Sequence, residues 1–181
     1  SGIILSSGNI ASVIGPNVGD ATTTDNSLPG DTALDSLIPG YTTYDATILE
    51  FDFECATVQN ITFTYVFASE EYNEYVNSAY NDVFGFFVNG VNIALLPSSL
   101  TPVAINNVNC NNPFAPPTGA NCNLYLNNDL SDGGGAIDTE MDGLTLVFTA
   151  TTPVNPGVNH IKLAIADAGD HVLDSDVFIL C

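Results

Sequence analysis

The sequence predicts an all-β fold: a sandwich of two sheets with jelly-roll-like connections, long loops and at most short helical turns. Three observations carry that expectation. Apolar residues recur with period two in most patterned segments, Asn89-Gly90 joins two such segments as a tight hairpin, and no stretch of ordinary helix length shows apolar spacing of three and four. A chain made of strands with one apolar and one polar face must bury those faces against each other, which gives the sandwich.

Taken in order, Thr47 to Cys55 places Leu49, Phe51, Phe53 and Cys55 on one face and Ile48, Glu50, Asp52 and Glu54 on the other. Ile61 to Phe67 repeats the pattern with Ile61, Phe63, Tyr65 and Phe67 as its inward set. Val83 to Val88 and Val91 to Leu96 flank Asn89-Gly90, a dipeptide that accepts two positive φ angles and so closes a type I′ turn. Leu144 to Ala150, Val158 to Ala166 and Asp176 to Cys181 add three strands, separated by turns such as Pro153-Val154-Asn155-Pro156-Gly157. Short helical turns are expected near Asn9 to Ile14 and Ser69 to Val76. Gly15 to Tyr44 and the Asn- and Pro-rich stretch Asn106 to Asp142 read as loops, the second as an insertion in a single domain spanning residues 1–181.

Charge narrows the function classes. One basic side chain, Lys162, stands against 21 Asp and Glu, a formal net charge of −20. Phosphate backbones and anionic membrane surfaces are bound through Lys and Arg, so nucleic acid and direct membrane association are excluded as natural partners. With 45% hydrophobic and 12% charged residues the chain has the composition of a folded protein rather than a disordered acidic one. No apolar run approaches the roughly 20 residues that cross a bilayer. The Ser start without a secretory leader reads as a mature or excised chain, and the cysteines point to export into an oxidising medium that is saline or calcium-bearing.

Four cysteines allow three pairings. Cys110 and Cys122 flank a stretch with no core pattern, which a local staple would order. Cys55 and Cys181 both fall on the inward parity of their strands. The expected disulfides are therefore Cys110–Cys122 and Cys55–Cys181. Free thiols are the alternative, and a zinc site is disfavoured because no C-x₂-C spacing occurs.

The run Phe67-Ala68-Ser69-Glu70-Glu71-Tyr72-Asn73-Glu74-Tyr75, continued by Asn81-Asp82-Val83-Phe84-Gly85-Phe86-Phe87, carries a family resemblance. So do Asp45 to Phe53, His160 to Asp167, the opening Gly2-Ile3-Ile4-Leu5-Ser6-Ser7-Gly8-Asn9 and Ile105 to Asn109. Together they resemble the choice-of-anchor L domain, over most of the chain, with Cys110 to Asp138 departing from the pattern. The resemblance implies a secreted or cell-surface microbial β-domain with no catalytic activity attached to the family.

Carboxylates supply the chemistry. Glu70, Glu71, Glu74, Asn81 and Asp82 form one cluster, and Asp167, Asp170, Asp174 and Asp176 form another at the end of a strand. Such concentrated negative charge needs a cation that one lysine cannot supply. Calcium, which takes six to eight oxygens from irregular loops, is the expected cofactor, with Glu70, Glu71, Asp82, Asp167 and Asp170 as ligands. The alternative is solvated loop acids. Asp138-Thr139-Glu140-Met141-Asp142-Gly143 begins like an EF-hand loop, but its twelfth position is Thr149 and a strand follows, so an EF-hand is rejected and a looser calcium loop is left as the alternative. Asn60-Ile61-Thr62 is a glycosylation acceptor sequence.

His171 beside Asp170 and near Ser175 does not make a catalytic triad, and no Trp offers a sugar-stacking platform for a glycosidase. His160 reads as an ordinary surface histidine and Lys162 as an outward residue bridged to an acid. A non-enzymatic structural or adhesive module of a surface layer, matrix or filament is the first functional reading, with copies of itself or other surface proteins as partners. A calcium-dependent carbohydrate-binding domain using Tyr72, Tyr75, Tyr80 or Tyr125, with glycans as partners, is the second. The apolar ends Ile3-Ile4-Leu5 and Val177-Phe178-Ile179-Leu180 pair either within the domain or with a neighbour's sheet.

Overall fold

The computed structural model describes residues 1–180. Among the described residues, eleven strands build two antiparallel sheets. The strands are β1 (Gly2–Ser6), β2 (Thr43–Cys55), β3 (Gln59–Ser69), β4 (Val83–Val88), β5 (Val91–Asn92), β6 (Val103–Ala104), β7 (Tyr125–Asn127), β8 (Gly143–Thr145), β9 (Phe148–Val154), β10 (Gly157–Ala168) and β11 (Ser175–Leu180). One sheet has the order β1-β11-β3-β8-β7, with β9 also pairing β3; the other has the order β2-β10-β4-β5, with β6 also pairing β4. The first strands, β1 to β4, alternate between sheets, and so do β9, β10 and β11. The last two insert between earlier neighbours, which is the jelly-roll interleaving the sequence predicts.

The inward face of β3, Tyr65 and Phe67, meets Phe84 and Phe86 of β4 and Ile161, Leu163 and Ile165 of β10. Tyr65 lies 5.2 Å from Phe84 and 5.9 Å from Phe148 between ring centroids, and Phe63 lies 4.8 Å from Phe86. Each of these rings contributes about 1.5–3 kcal/mol by leaving water. The Asn89-Gly90 turn is present, with φ of 50° and 81°, the positive pair a type I′ turn demands.

The two long loops cover the outer faces of the sheets. Within residues 15–44 a single helical turn, α1 (Thr32–Asp35), lays Leu34 and Ile38 on Val83, Phe87, Ala164 and Ala166. Asp31 caps it by accepting from the backbone N–H groups of Ala33 and Leu34, and its other oxygen takes Lys162 Nζ at 2.6 Å. The outward position of Lys162 and its acidic partner are as expected. On the other sheet Met141, with Ile137 beside it, covers Ala68 and Leu144. Cys110 and Cys122 form a disulfide, and β7 of the same insertion joins the sheet beside β8.

Several expectations are corrected. Leu144 to Ala150 is two strands rather than one, because the chain leaves β8 at Thr145 and returns as β9 at Phe148, both beside β3. Val91 to Leu96 keeps ladder pairing only at Val91–Asn92; Leu95 bridges Pro102 instead. Ser69 to Val76 is a series of turns after Ser69, whereas Ile10–Val13 is a 3-10 turn as expected. Leu49 and Phe51 do share the inward parity of Leu163 and Ile161, yet they are 36% and 44% exposed. They lie on an edge strand of 13 residues, and the facing sheet ends in β1, with five. Ile3, Ile4 and Leu5 pair with Ile179, Phe178 and Val177 of the same chain, so the terminal apolar segments meet within the domain.

Candidate functional site

One end of the sandwich gathers the acids. Register brings the end of β3 beside the starts of β8 and β11, the start of β4 beside the end of β10, and the start of β2 beside that same end of β10. The segments flanking these strand ends carry Glu70, Glu71, Asp82, Asp142, Asp170 and Asp174, with Asp167 in β10 itself, and all but Asp170 are buried.

Part of this acidity has a structural use. The segment 17–28, which has no regular secondary structure, is stitched down by carboxylates that accept its backbone N–H groups. Val18 donates to Glu140 Oε2 (3.0 Å), Thr22 to Glu70 Oε2 (3.0 Å) and Thr24 to Asp174 Oδ1 (2.7 Å). Asn26 and Leu28 donate to the two oxygens of Asp45 (3.1 and 2.5 Å). Charge-assisted bonds of this kind are about twice as strong as neutral ones, which is how an irregular strap becomes fixed.

Of the five residues expected to bind calcium, Asp82 and Asp170 act electrostatically on Glu71, Asp170 on Asp82, and Asp82 on Asp167, but no three of them meet with metal-ligand spacing among the described residues. Asp82 is satisfied, accepting from Ala168 N (2.8 Å) and Ser175 Oγ (2.7 Å). Glu71 Oε2 and both oxygens of Asp167 are buried without a hydrogen-bond partner among the described residues. The Ser7 hydroxyl beside Asp167 donates to the Ser175 carbonyl instead, at 3.3 Å. Burial, reinforced by the neighbouring acids, holds the Glu71, Asp82 and Asp167 carboxyls well above the usual carboxylate range. Glu71 and Asp170 open into a cleft of about 190 Å³ that Asp20, Tyr75 and Tyr80 also line.

Glu70 turns the other way. Its charged neighbours are Asp142, Glu140 and Asp174, and burial followed by the Asp142 charge pushes its carboxyl up to about 9. One oxygen of each of Asp20, Asp129 and Asp142 lies within 4.8 Å of the others. Asp142 Oδ1 accepts Asn17 Nδ2 at 2.7 Å, while Asp142 Oδ2 and Glu70 Oε1 are buried with no partner among the described residues. Burial first, opposed by the Asn17 bond, raises Asp142 to about 8. Asn128 organises the loop that carries this group, donating to the Thr139 and Met141 carbonyls and accepting from Ile137 N. Gly134 passes so close that a Cβ there would sit 2.3 Å from the Asn128 carbonyl carbon, so only glycine fits. Sequence reasoning found Asp142 only within an EF-hand-like stretch that it kept as a looser calcium loop, and missed Asp20 and Asp129. Their three positions share no spacing that could have signalled them.

The chain matches the family model described as the choice-of-anchor L domain over residues 1–180. It belongs to the choice-of-anchor L domain family. No curated protein and no solved structure matches it. Membership implies a secreted protein anchored at a microbial cell surface.

In this choice-of-anchor L domain the remaining candidates are occupied by ordinary contacts. His171 Nδ1 lies 3.0 Å from Asp45 Oδ2 and its ring packs on Tyr44 at 4.5 Å. Ser175 spends its hydroxyl on Asp82, so His171 and Ser175 form no nucleophile–base pair. A second group, Asp25, Asp45 and His171, has metal-ligand spacing, but Asp45 and His171 already satisfy each other. His160 is exposed and sits between Glu50 and Asp52 at 2.8 and 2.7 Å. Asn60 is exposed, as a glycosylation acceptor must be. Cys55 is buried and its sulfur lies 3.1 Å from Gln59 Nε2; the expected partner, Cys181, lies outside the described residues.

Proposed function

We propose that this domain is a non-enzymatic structural or adhesive module of a microbial surface layer, matrix or filament, stabilised by calcium. The observation that carries the reading is the presence of buried, unpartnered carboxylate oxygens on Glu71 and Asp167, beside Asp82 and Asp170, in a chain whose one lysine is engaged with Asp31. Isolated buried carboxylates are costly, and a divalent cation offsets that cost while using the oxygens that lack donors. Glu71, Asp82, Asp167 and Asp170 are the ligands of this reading, and Glu70 belongs to the neighbouring group. Its partners are copies of itself or other surface proteins. The half-exposed apolar pair Leu49 and Phe51, on one face of the edge strand β2, supports assembly, since an open apolar edge is a template for another chain.

A second reading, a calcium-dependent carbohydrate-binding domain, is favoured by the cleft itself. Tyr75 and Tyr80 meet edge to face at 5.6 Å and line it together with Glu71 and Asp170. Its volume of about 190 Å³ is small beside the roughly 300–1,000 Å³ of common ligand pockets, which ranks this reading second.

Electron microscopy of the native protein, with metal content measured on the same sample, tests the first reading. Polymeric particles containing calcium are expected. Monomers free of calcium would overturn it, and glycan-array binding abolished by chelator would put the second reading in its place.

A further inference from the structure

We propose that Asp20, Asp129 and Asp142, with Glu70 beside Asp142, form a second Ca²⁺ site that fastens the strap 17–28 to the loop 128–142. The proposal rests on the calcium reading of this end of the sandwich, but on residues other than the four assigned above.

The three aspartates satisfy the spacing rule. Oxygens bound to one Ca²⁺ at about 2.3–2.6 Å are at most about 5 Å apart, and one oxygen from each aspartate lies within 4.8 Å of the others. The independent observation is Glu70, which is fully buried, whose Oε1 has no hydrogen-bond partner among the described residues, and on which Asp142 is the charge that acts most strongly. Asp142 Oδ2 is likewise fully buried and unpartnered.

Nearby donors are already engaged. Asn17 Nδ2 serves Asp142 Oδ1 and the Asn128 carbonyl. Asn73 Nδ2 is directed to Asn127, Asp129 and Asp132, and Asn128 Nδ2 to three carbonyls of its own loop. Two inward oxygens thus lack any proton to accept from the described residues, beside an exposed Asp20 that leaves the position open to solvent. A hard, oxygen-seeking dication fits that donor set, which contains no His or Cys. Because Asp20 comes from the strap and Asp129 and Asp142 from the insertion, an ion here closes two segments more than a hundred residues apart in sequence.

Calorimetric titration of Ca²⁺ into the full chain tests the site. The wild type is expected to bind two Ca²⁺ per chain, and Asp129→Asn with Asp142→Asn to bind one. Asp20→Asn, an exposed position that leaves the fold intact, should weaken one site at least tenfold and keep the other. Hydrogen exchange of residues 17–28 in calcium should accelerate at least tenfold in Asp20→Asn. Wild-type stoichiometry and affinity in Asp20→Asn overturns the second site while leaving the Glu71 site standing. Loss of all binding on Glu71→Gln alone, with Asp20→Asn unaffected, overturns the second site in the same way. No Ca²⁺ uptake by the wild type overturns both sites, and unchanged strap exchange overturns the fastening role.

Discussion

The Ser175 hydroxyl donates to Asp82 Oδ2 at 2.7 Å, joining the first residue of β11 in one sheet to the residue before β4 in the other. Ala168 N donates to the second oxygen at 2.8 Å, so a single buried carboxylate ties the ends of three strands across the sandwich. Asp82 is an acceptor with its donors supplied. Glu71 Oε2 and both oxygens of Asp167 beside it have no donor among the described residues, and that contrast separates the acids that hold the fold together from those that the calcium reading assigns to a cation.

Asp167→Asn should therefore change sign with calcium. In chelator the substitution replaces a carboxyl whose ionisation burial and Asp82 both oppose by a neutral amide, so the variant is expected to melt at or above the wild-type temperature. In calcium it removes a ligand and should be less stable than wild type by about 1–3 kcal/mol. Melting curves of both proteins in both conditions check this; parallel shifts in the two conditions would contradict it.

Proton linkage gives a second expectation. Glu70 and Asp142 rise to about 9 and about 8 in the folded chain, against about 4.3 and 3.9 in an unfolded one. The folded state then binds more protons across this interval, so stability in chelator falls as pH rises from about 4 towards 9. Calcium takes the place of those protons. It should flatten the fall, and its addition at pH 7 should acidify a weakly buffered solution. Denaturant midpoints across pH, with and without chelator, measure the first effect and a glass electrode the second.

The strands were legible because period two survives wherever one face is buried, and the β4–β5 turn because Asn-Gly accepts its positive φ values. The Cys110–Cys122 pairing was legible from the patternless stretch between its ends. The exposure of Leu49 and Phe51 was not, since parity says which way a side chain points and not whether the facing sheet reaches over it. Half of the candidate site was also hidden. Glu71, Asp82, Asp167 and Asp170 sit at strand ends that the alternation locates, whereas Asp20, Asp129 and Asp142 meet through two irregular loops held by carboxylates and by Asn128.

Lys162→Met supplies a calcium-independent reference. The ion pair with Asp31 is largely shielded, with side chains 17% and 12% exposed, and Asp31 also caps α1. Losing the lysine should cost about 1–2 kcal/mol, more than a surface pair and less than a fully buried one. The loss should be equal with calcium and with chelator, as read by denaturant titration.

Self-assembly should depend on the open edge of β2. Phe51→Asp replaces a ring that is 44% exposed, so the monomer keeps most of its stability while the apolar pair is broken. Sedimentation velocity should show the wild type associating as concentration rises and the variant remaining monomeric. Equal association of both would remove β2 from the interface.

Thermal unfolding in low-salt buffer, with calcium and with chelator, bears most directly on the claim that a cation completes the acidic end of the sandwich. Free calcium at a hundred times its dissociation constant adds about 2.7 kcal/mol, which in a chain of this size raises the melting temperature by about 5–10 °C. The account predicts that rise together with calcium retained on purification. Identical melting in the two buffers, with no metal found by elemental analysis, would contradict it.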